Sequence, residues 1–230
     1  MEYDNNKCVN CTIKSKVVSI LNNDELNVLE EGCSKTEFQK GELIFKEGSP
    51  ASHITYIRNG FIKLSKKGIG GKDFILSISK KGSYLGIQNL GRERGDNYFS
   101  AISITDSQVC FIDIESFAKL LIRNGQFASD VISYIFSDEM NYFERLINNV
   151  QQQLPGRLAN TLFYFRDHVY NENPFNINLT KAELASLIGT SRESVSRLLK
   201  EFQELGIIKM DKNMITILND AKLAEIKMKG

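Results

Sequence analysis

Histidine is nearly missing from this chain: its 230 residues hold only two, His53 and His168. Barrel enzymes that work through a metal need clustered histidines, and no nucleophile–base set stands out elsewhere, so an enzyme is not expected. Gly68-Ile69-Gly70-Gly71 reads as a hairpin tip rather than a phosphate cradle. No apolar run approaches the ~18–20 residues a membrane helix requires. Acidic and amide residues fill Met1-Glu2-Tyr3-Asp4-Asn5-Asn6-Lys7, where a signal peptide would need a basic start and an apolar stretch. These absences predict a cytoplasmic protein with no membrane contact. Net charge is only +1, so any contact with a polyanion must come from cations concentrated locally. Cysteine is limited to Cys8, Cys11, Cys33 and Cys110, which in a reducing compartment read as thiols or ligands rather than a disulfide framework.

What is present is an ordinary globular balance, 42% apolar and 25% charged, in a chain long enough to bury a real core. Residues 1–36 form an N-terminal segment with a C-x-x-C pair and a short helix. Residues 37–116 read as strands: Leu43-Ile44-Phe45, Ile54-Thr55-Tyr56-Ile57, Phe61-Ile62-Lys63-Leu64, Phe74-Ile75-Leu76 and Val109-Cys110-Phe111-Ile112, separated by turn signals such as Lys40-Gly41 and Arg58-Asn59-Gly60. Their even spacing predicts a small antiparallel barrel or jelly roll. Residues 117–153 contain no proline and one glycine, Gly125. Ile132, Phe136, Phe143, Leu146 or Ile147, and Val150 recur there at three- and four-residue steps, with Glu139 interrupting the stripe. Such a seam packs on its own barrel or on a twin, and its coiled-coil character favours the twin. Leu154-Pro155-Gly156 breaks the helix and opens a last region, 154–230.

That last region carries the most specific pattern. Thr180 with Glu183 three residues on forms a capping box for a short helix, which Gly189 ends. A second helix begins near Ser191 and runs to about Glu204, with Val195, Leu198, Leu199, Phe202 and Leu205 on one side. Arg192, Glu193, Ser196, Arg197 and Lys200 fall on the other. Ile207-Ile208-Lys209-Met210, a turn at Asp211-Lys212-Asn213, and Met214-Ile215-Thr216-Ile217 then read as a β-hairpin wing. A helix, a glycine turn and a helix with a polar N-terminal half form the helix-turn-helix layout. Its second helix enters the DNA major groove, where arginine suits guanine O6 and N7 and glutamate accepts from cytosine N4. Thr190, Ser191 and Lys200 are candidates for phosphates. Two plainer readings stand beside this: Glu193 with Arg197 is also a surface i,i+4 ion pair, and Glu193 is spaced to cap from Thr190.

The run Leu179-Thr180-Lys181-Ala182-Glu183-Leu184-Ala185 through Gly189-Thr190-Ser191-Arg192-Glu193-Ser194-Val195-Ser196-Arg197-Leu198-Leu199 closely resembles the helix-turn-helix signature of the catabolite-activator/FNR (Crp/Fnr) family. Lys40-Gly41-Glu42-Leu43-Ile44-Phe45-Lys46-Glu47-Gly48 resembles the opening of that family's cyclic-nucleotide-binding-type barrel, and Arg157-Leu158-Ala159 the start of its DNA domain. The resemblance covers nearly the whole chain and leans to the FNR-like branch. It implies an α+β fold: an N-terminal antiparallel β-barrel of jelly-roll type, a long dimerisation helix, and a C-terminal winged helix-turn-helix. The implied partners are a second copy of the chain, double-stranded DNA carrying an inverted repeat, and RNA polymerase. Arg192, Glu193 and Arg197 match base-contacting positions of one branch, and Glu193, Ser196 and Arg197 those of the other.

The resemblance also bears on what is sensed. Members that bind cyclic nucleotide carry a glutamate shortly after a glycine and an Arg-Ser or Arg-Thr pair about ten residues on. Here Leu85-Gly86 is followed by Ile87-Gln88-Asn89, and the later stretch reads Asp96-Asn97-Tyr98-Phe99-Ser100. Arg92 and Arg94 are expected in a solvent-facing loop, so no cyclic-nucleotide site is expected. Cys8, Cys11 and Cys110 are similar to three of the four ligand positions of the family's oxygen sensors, which implies an iron–sulfur cluster or another metal, or a redox dithiol. Where that pattern has a third N-terminal cysteine this chain has Val17, and Cys33 lies outside the pattern. Cys110 also reads as a core residue on the face of Ile112 and Ile114.

Overall fold

A computed structural model of the chain describes residues 8–9, 11, 13–90 and 95–229. Arg92 and Arg94 lie outside them. The chain divides into two compact units, residues 1–66 with 78–139, and residues 67–77 with 140–230.

In the first unit, Asn22 caps helix α1 (Asn23–Glu31) in a reciprocal capping box with Glu25. Strands β1 (Cys33–Phe38), β2 (Leu43–Phe45), β3 (His53–Asn59), β4 (Phe61–Lys67), β5 (Asp73–Lys80), β6 (Tyr84–Leu85), β7 (Ser100–Ser103) and β8 (Ser107–Asp113) follow. They form two four-stranded sheets, ordered β1-β8-β3-β6 and β2-β7-β4-β5. The arrangement is jelly-roll-like rather than a closed barrel. β1 starts at Cys33, inside the segment that the sequence assigned to 1–36; Cys-Ser-Lys-Thr-Glu-Phe is a polar edge strand with little apolar alternation to announce it. β6 and β7 were also missed, being two and four residues long. The β3–β4 turn depends on Gly60, whose φ is +89° and where a Cβ would meet the Asp106 carbonyl at 2.7 Å.

Because facing residues of antiparallel strands share a side, Cys33, Ile112 and Ile54 form one row across β1-β8-β3, and Lys35, Cys110 and Tyr56 the next. This face packs under α1, helix α2 (Ile114–Arg123) and the first turns of helix α3 (Gly125–Gln151). Leu26, Leu29, Phe117, Leu120, Phe127 and Val131 close the core. The helical stretch that the sequence runs unbroken from Phe117 breaks at Asn124. That residue is extended, and its side-chain oxygen accepts from the Phe127 N–H at 3.0 Å, capping α3.

α3 carries two apolar faces. Phe127 and Val131 are buried, while Ile132, Phe136, Met140, Phe143, Leu146, Ile147 and Val150 are all more than half exposed. Met140, overlooked in the sequence, carries the stripe past Glu139, so the seam is continuous.

In the second unit, helix α4 (Leu154–Tyr164) starts with Pro155 in its first turn and widens into a π-helical end over Phe165–Tyr170. Strand β9 (Phe175–Asn176) pairs with β11 (Met214–Ile217), which pairs with β10 (Ile208–Asp211). The predicted wing is therefore the outer part of a three-stranded sheet. Asn173 pins the intervening loop, donating to the Ile217 carbonyl at 3.0 Å and accepting from its N–H at 2.9 Å. Helices α5 (Lys181–Ile188), α6 (Arg192–Glu204) and α7 (Asp220–Lys229) complete the unit around Leu158, Leu162, Phe165, Phe175, Phe202 and Leu223. Ala182 and Leu205, expected on apolar faces, are exposed.

Candidate DNA-recognition helix and cysteine pocket

The helix-turn-helix is held by local chemistry. Thr180 Oγ1 accepts from the Glu183 N–H at 3.2 Å, and the Thr180 N–H donates to the Glu183 carboxylate at 2.8 Å, the expected capping box. Gly189 ends α5 in the left-handed region, φ +68°, which lets the chain turn sharply into α6. Arg157 ties the turn to α4, donating from Nε to the Gln152 carbonyl at 2.8 Å and from Nη1 to the Ile188 carbonyl at 3.5 Å. Val195, Leu198, Leu199 and Phe202 are buried.

The opposite face of α6 is presented to solvent. Arg192, Glu193, Arg197 and Lys200 are exposed; Ser196 and Thr190 are half-buried. Ser191 caps the helix by accepting from the Ser194 N–H at 3.2 Å, so the cap is Ser191 and not the Thr190–Glu193 pair. The Glu193–Arg197 ion pair is not formed among the described residues, and Arg192 and Arg197 make no side-chain hydrogen bond there. Glu193 instead folds back on its own N–H and on Ser191, which hold its carboxyl below the usual carboxylate range and keep it an acceptor. Lys200 meets Glu204 at 3.6 Å, an exposed pair that binds weakly. A charged, unpaired edge at a helix N-terminus is what base-edge readout requires.

In the first unit, all four cysteines line one cavity of about 40 Å³, with Tyr56 and Tyr84 in its wall. The N-terminal segment closes over the β1-β8-β3 face. Tyr56 Oη donates to the Ile13 carbonyl at 3.0 Å, and Ser15 Oγ lies 2.5 Å from Tyr84 Oη. The Cys8 N–H donates to the Glu30 carboxylate at 3.0 Å, and the Cys11 N–H to the Cys8 carbonyl at 3.3 Å, a turn that brackets the C-x-x-C pair. The neighbouring Cys110 and Cys8, with burial, push the Cys33 thiol up. Cys33 in turn pulls Cys8 down and Cys110 down to about 6, with Arg58 adding to the effect on Cys110.

Cys8, Cys11 and Cys110 thus line one pocket, and the sequence reading missed two further members of it. Cys33, outside the expected pattern, lines the same pocket. Arg58, placed only in a turn signal, shares the face of Ile54 and Tyr56 and is 5% exposed. The signal that could have found it is the alternation Ile54, Tyr56, Arg58, a charge at an inward position of a strand. Four sulfurs suit a soft metal or cluster in number. As arranged, they do not surround one point: among the described residues no group of three or more His, Cys, Asp or Glu side chains is placed to hold an ion. In the stretch after Gly86, Ile87 is buried, and further on the Asn97 amide donates to Ser49.

Fold and exposed helix together define a winged-helix DNA-binding regulator of transcription with a jelly-roll N-terminal domain. Residues 35–124 match the cyclic nucleotide-binding domain, and residues 156–226 the Crp-like helix-turn-helix domain. The chain belongs to the Crp/Fnr family of regulators. It is 26% identical over 204 residues to the anaerobic regulatory protein of Bacillus subtilis, covering 87% of this chain and 86% of that one. It is 26% identical over 226 residues to the fumarate and nitrate reduction regulatory protein of Vibrio cholerae, covering 95% and 89%. In fold it is similar to FixK2 from Bradyrhizobium japonicum, with a TM-score of 0.76 at 18% identity over 84% of this chain and 96% of that one. These relatives are regulators, not enzymes. Among the described residues no helix is long and apolar enough to cross a membrane.

Proposed function

We propose that this regulator binds an inverted-repeat operator as a homodimer and that the oxidation state of the four-cysteine pocket switches that binding. The observation that carries the switch is the meeting of Cys8, Cys11, Cys33 and Cys110 at one pocket, with Cys33 and Cys110 on one face of adjacent strands. Thiols gathered at one pocket can form disulfides on oxidation. The exposed stripe on α3 supports the homodimer, since seven large apolar residues in a helical row need a partner surface. Two recognition helices related by a two-fold axis read half-sites about one helical turn apart, with Arg192, Glu193, Ser196 and Arg197 at base edges and Thr190, Ser191 and Lys200 at phosphates. RNA polymerase is the further partner, by analogy with the family.

In mechanism, oxidation changes how the N-terminal segment packs on the β1-β8-β3 face, and the dimer seam converts that change into a shift between binding and non-binding populations. The deciding experiment selects bound sequences from random DNA with the full chain in three states: reduced and metal-free, mildly oxidised, and reconstituted anaerobically with iron and sulfide. A palindromic site whose recovery differs between the first two states supports the proposal. Equal recovery in those two with a change only in the third, accompanied by iron and a visible charge-transfer band, replaces the thiol switch with a cluster.

A further inference from the structure

A buried cation requires a buried anion. Arg58 is 5% exposed, no carboxylate pairs with it among the described residues, and its Nε has no hydrogen-bond partner. Its Nη1 donates to Cys110 Sγ at 3.7 Å. The β3 ladder shifts register between Ile57 and Asn59, so this guanidinium sits at a bulge, diagonal to Cys110, while Tyr56 stands directly across from that cysteine. On the opposite neighbour, β1, Cys33 is the other diagonal residue of the same face. One sulfur is therefore flanked by a desolvated cation on one strand and a thiol on the other, beside a cavity of about 40 Å³. That volume has room for a few water-sized molecules, which admits hydrogen peroxide.

We propose that Cys110 is the sulfur that reacts with hydrogen peroxide, that Arg58 is the cation holding it ready, and that Cys33 is the resolving thiol. This rests on the thiol-redox reading of the pocket. The Cys110 thiolate attacks one peroxide oxygen; the O–O bond breaks, a sulfenic acid forms, and the hydroxide released takes a proton. Cys33, having given up its thiol proton, then attacks the Cys110 sulfur. The S–S bond forms, the S–O bond breaks and water leaves. In sum, two thiols and one peroxide give one disulfide and two waters, with two electrons passing from sulfur to oxygen. The two cysteines are offset by one same-face ladder pair on adjacent strands, a diagonal longer than a relaxed disulfide spans, so closing the bond must slide β1 along β8 beneath the N-terminal segment.

The test uses the full chain, reduced and shown to be metal-free. It is treated with one equivalent of hydrogen peroxide, quenched with N-ethylmaleimide and mapped by peptide mass spectrometry. The expected product is a Cys33–Cys110 linked peptide. In Cys33→Ser, a sulfenic-acid trap such as dimedone should label Cys110. Arg58→Met should slow loss of the Cys110 thiol by about tenfold or more, the worth of one charge-assisted hydrogen bond, and Arg58→Lys should recover part of that rate. If Arg58→Met fails to fold, the Cys33→Ser trapping and the wild-type map still decide the matter. Linkage of Cys8 to Cys11 with Cys110 left reduced overturns the assignment, as does an unchanged rate in a folded Arg58→Met. Formation of the Cys33–Cys110 bond without any change in operator binding would leave the sulfur chemistry standing and sink the regulatory reading instead.

Discussion

The apolar stripe on α3 makes a quantitative demand. Phe136 and Phe143 are 59% and 53% exposed in the protomer. With roughly 200 Å² on a phenylalanine, the two rings offer about 220 Å² of surface per protomer, worth about 5–6 kcal/mol if fully covered. Covering half of it in a two-fold seam gives about the same total for the pair, since both protomers contribute. The double variant Phe136→Ala, Phe143→Ala should therefore weaken dimerisation by about 10⁴-fold, from 1.4 kcal/mol per factor of ten. Sedimentation equilibrium read against concentration measures this directly. The rings contribute little inside the protomer, so far-UV circular dichroism and the melting curve of the isolated monomer should barely move. Phe127→Ala, on the buried side of the same helix, gives the contrast. That ring is fully buried, and its loss should cost about 3–5 kcal/mol of stability. A double variant that remains a dimer with the wild-type dissociation constant would refute the seam, whatever its effect on DNA.

Arg197→Ala should bind a selected operator about 10–100-fold more weakly and relax preference at one base position, checked by fluorescence anisotropy on single-base variants of the site. Lys200→Ala should weaken all sequences alike and reduce the slope of log affinity against log salt by about one in the same assay. Thr180→Ala removes one half of the α5 capping box and should lower stability by about 1 kcal/mol in urea titration, without touching the α6 surface. Cys110 is an acid whose folded value is lowered, first by the hydrogen bond from Cys33 and then by Arg58, to about 6. Its reaction with iodoacetamide should therefore stay fast through neutral pH and fall off as pH drops through about 6, whereas an ordinary thiol would already slow below about 8.5.

How legible the fold was depends on how each element declares itself. α6 carries its apolar positions at three- and four-residue steps and its cap in one serine, so its start near Ser191 and its end near Glu204 were readable. β3 and β4 carry β-branched and aromatic residues on either side of the Gly60 turn, and β8 carries the apolar run Val109-Cys110-Phe111-Ile112. β1 has neither signal: its six residues are held by pairing with β8, a partner some seventy-five positions downstream, and long-range pairing leaves little local trace. The break at Asn124 was hidden for a related reason. No proline marks it, only the lone Gly125 preceded by an asparagine whose side chain competes for the backbone N–H three residues on.

The cysteine pocket shows where pattern reasoning fails physically. Spacing along the chain judges ligands by sequence distance, and by that measure Cys33 is a leftover. In a sheet, proximity follows register instead: the pairing of Cys33 with Ile112 and of Lys35 with Cys110 brings the two sulfurs to one face whatever the chain between them. Register also gives Arg58 its meaning. An arginine in a strand is usually a solvated edge group, but the alternation with Ile54 and Tyr56 turns this one inward, where water cannot stabilise its charge. Among the described residues Cys110 alone meets this cation, Arg58 Nη1 donating to its Sγ at 3.7 Å, and that contact, set by strand register, is what distinguishes it from the other three.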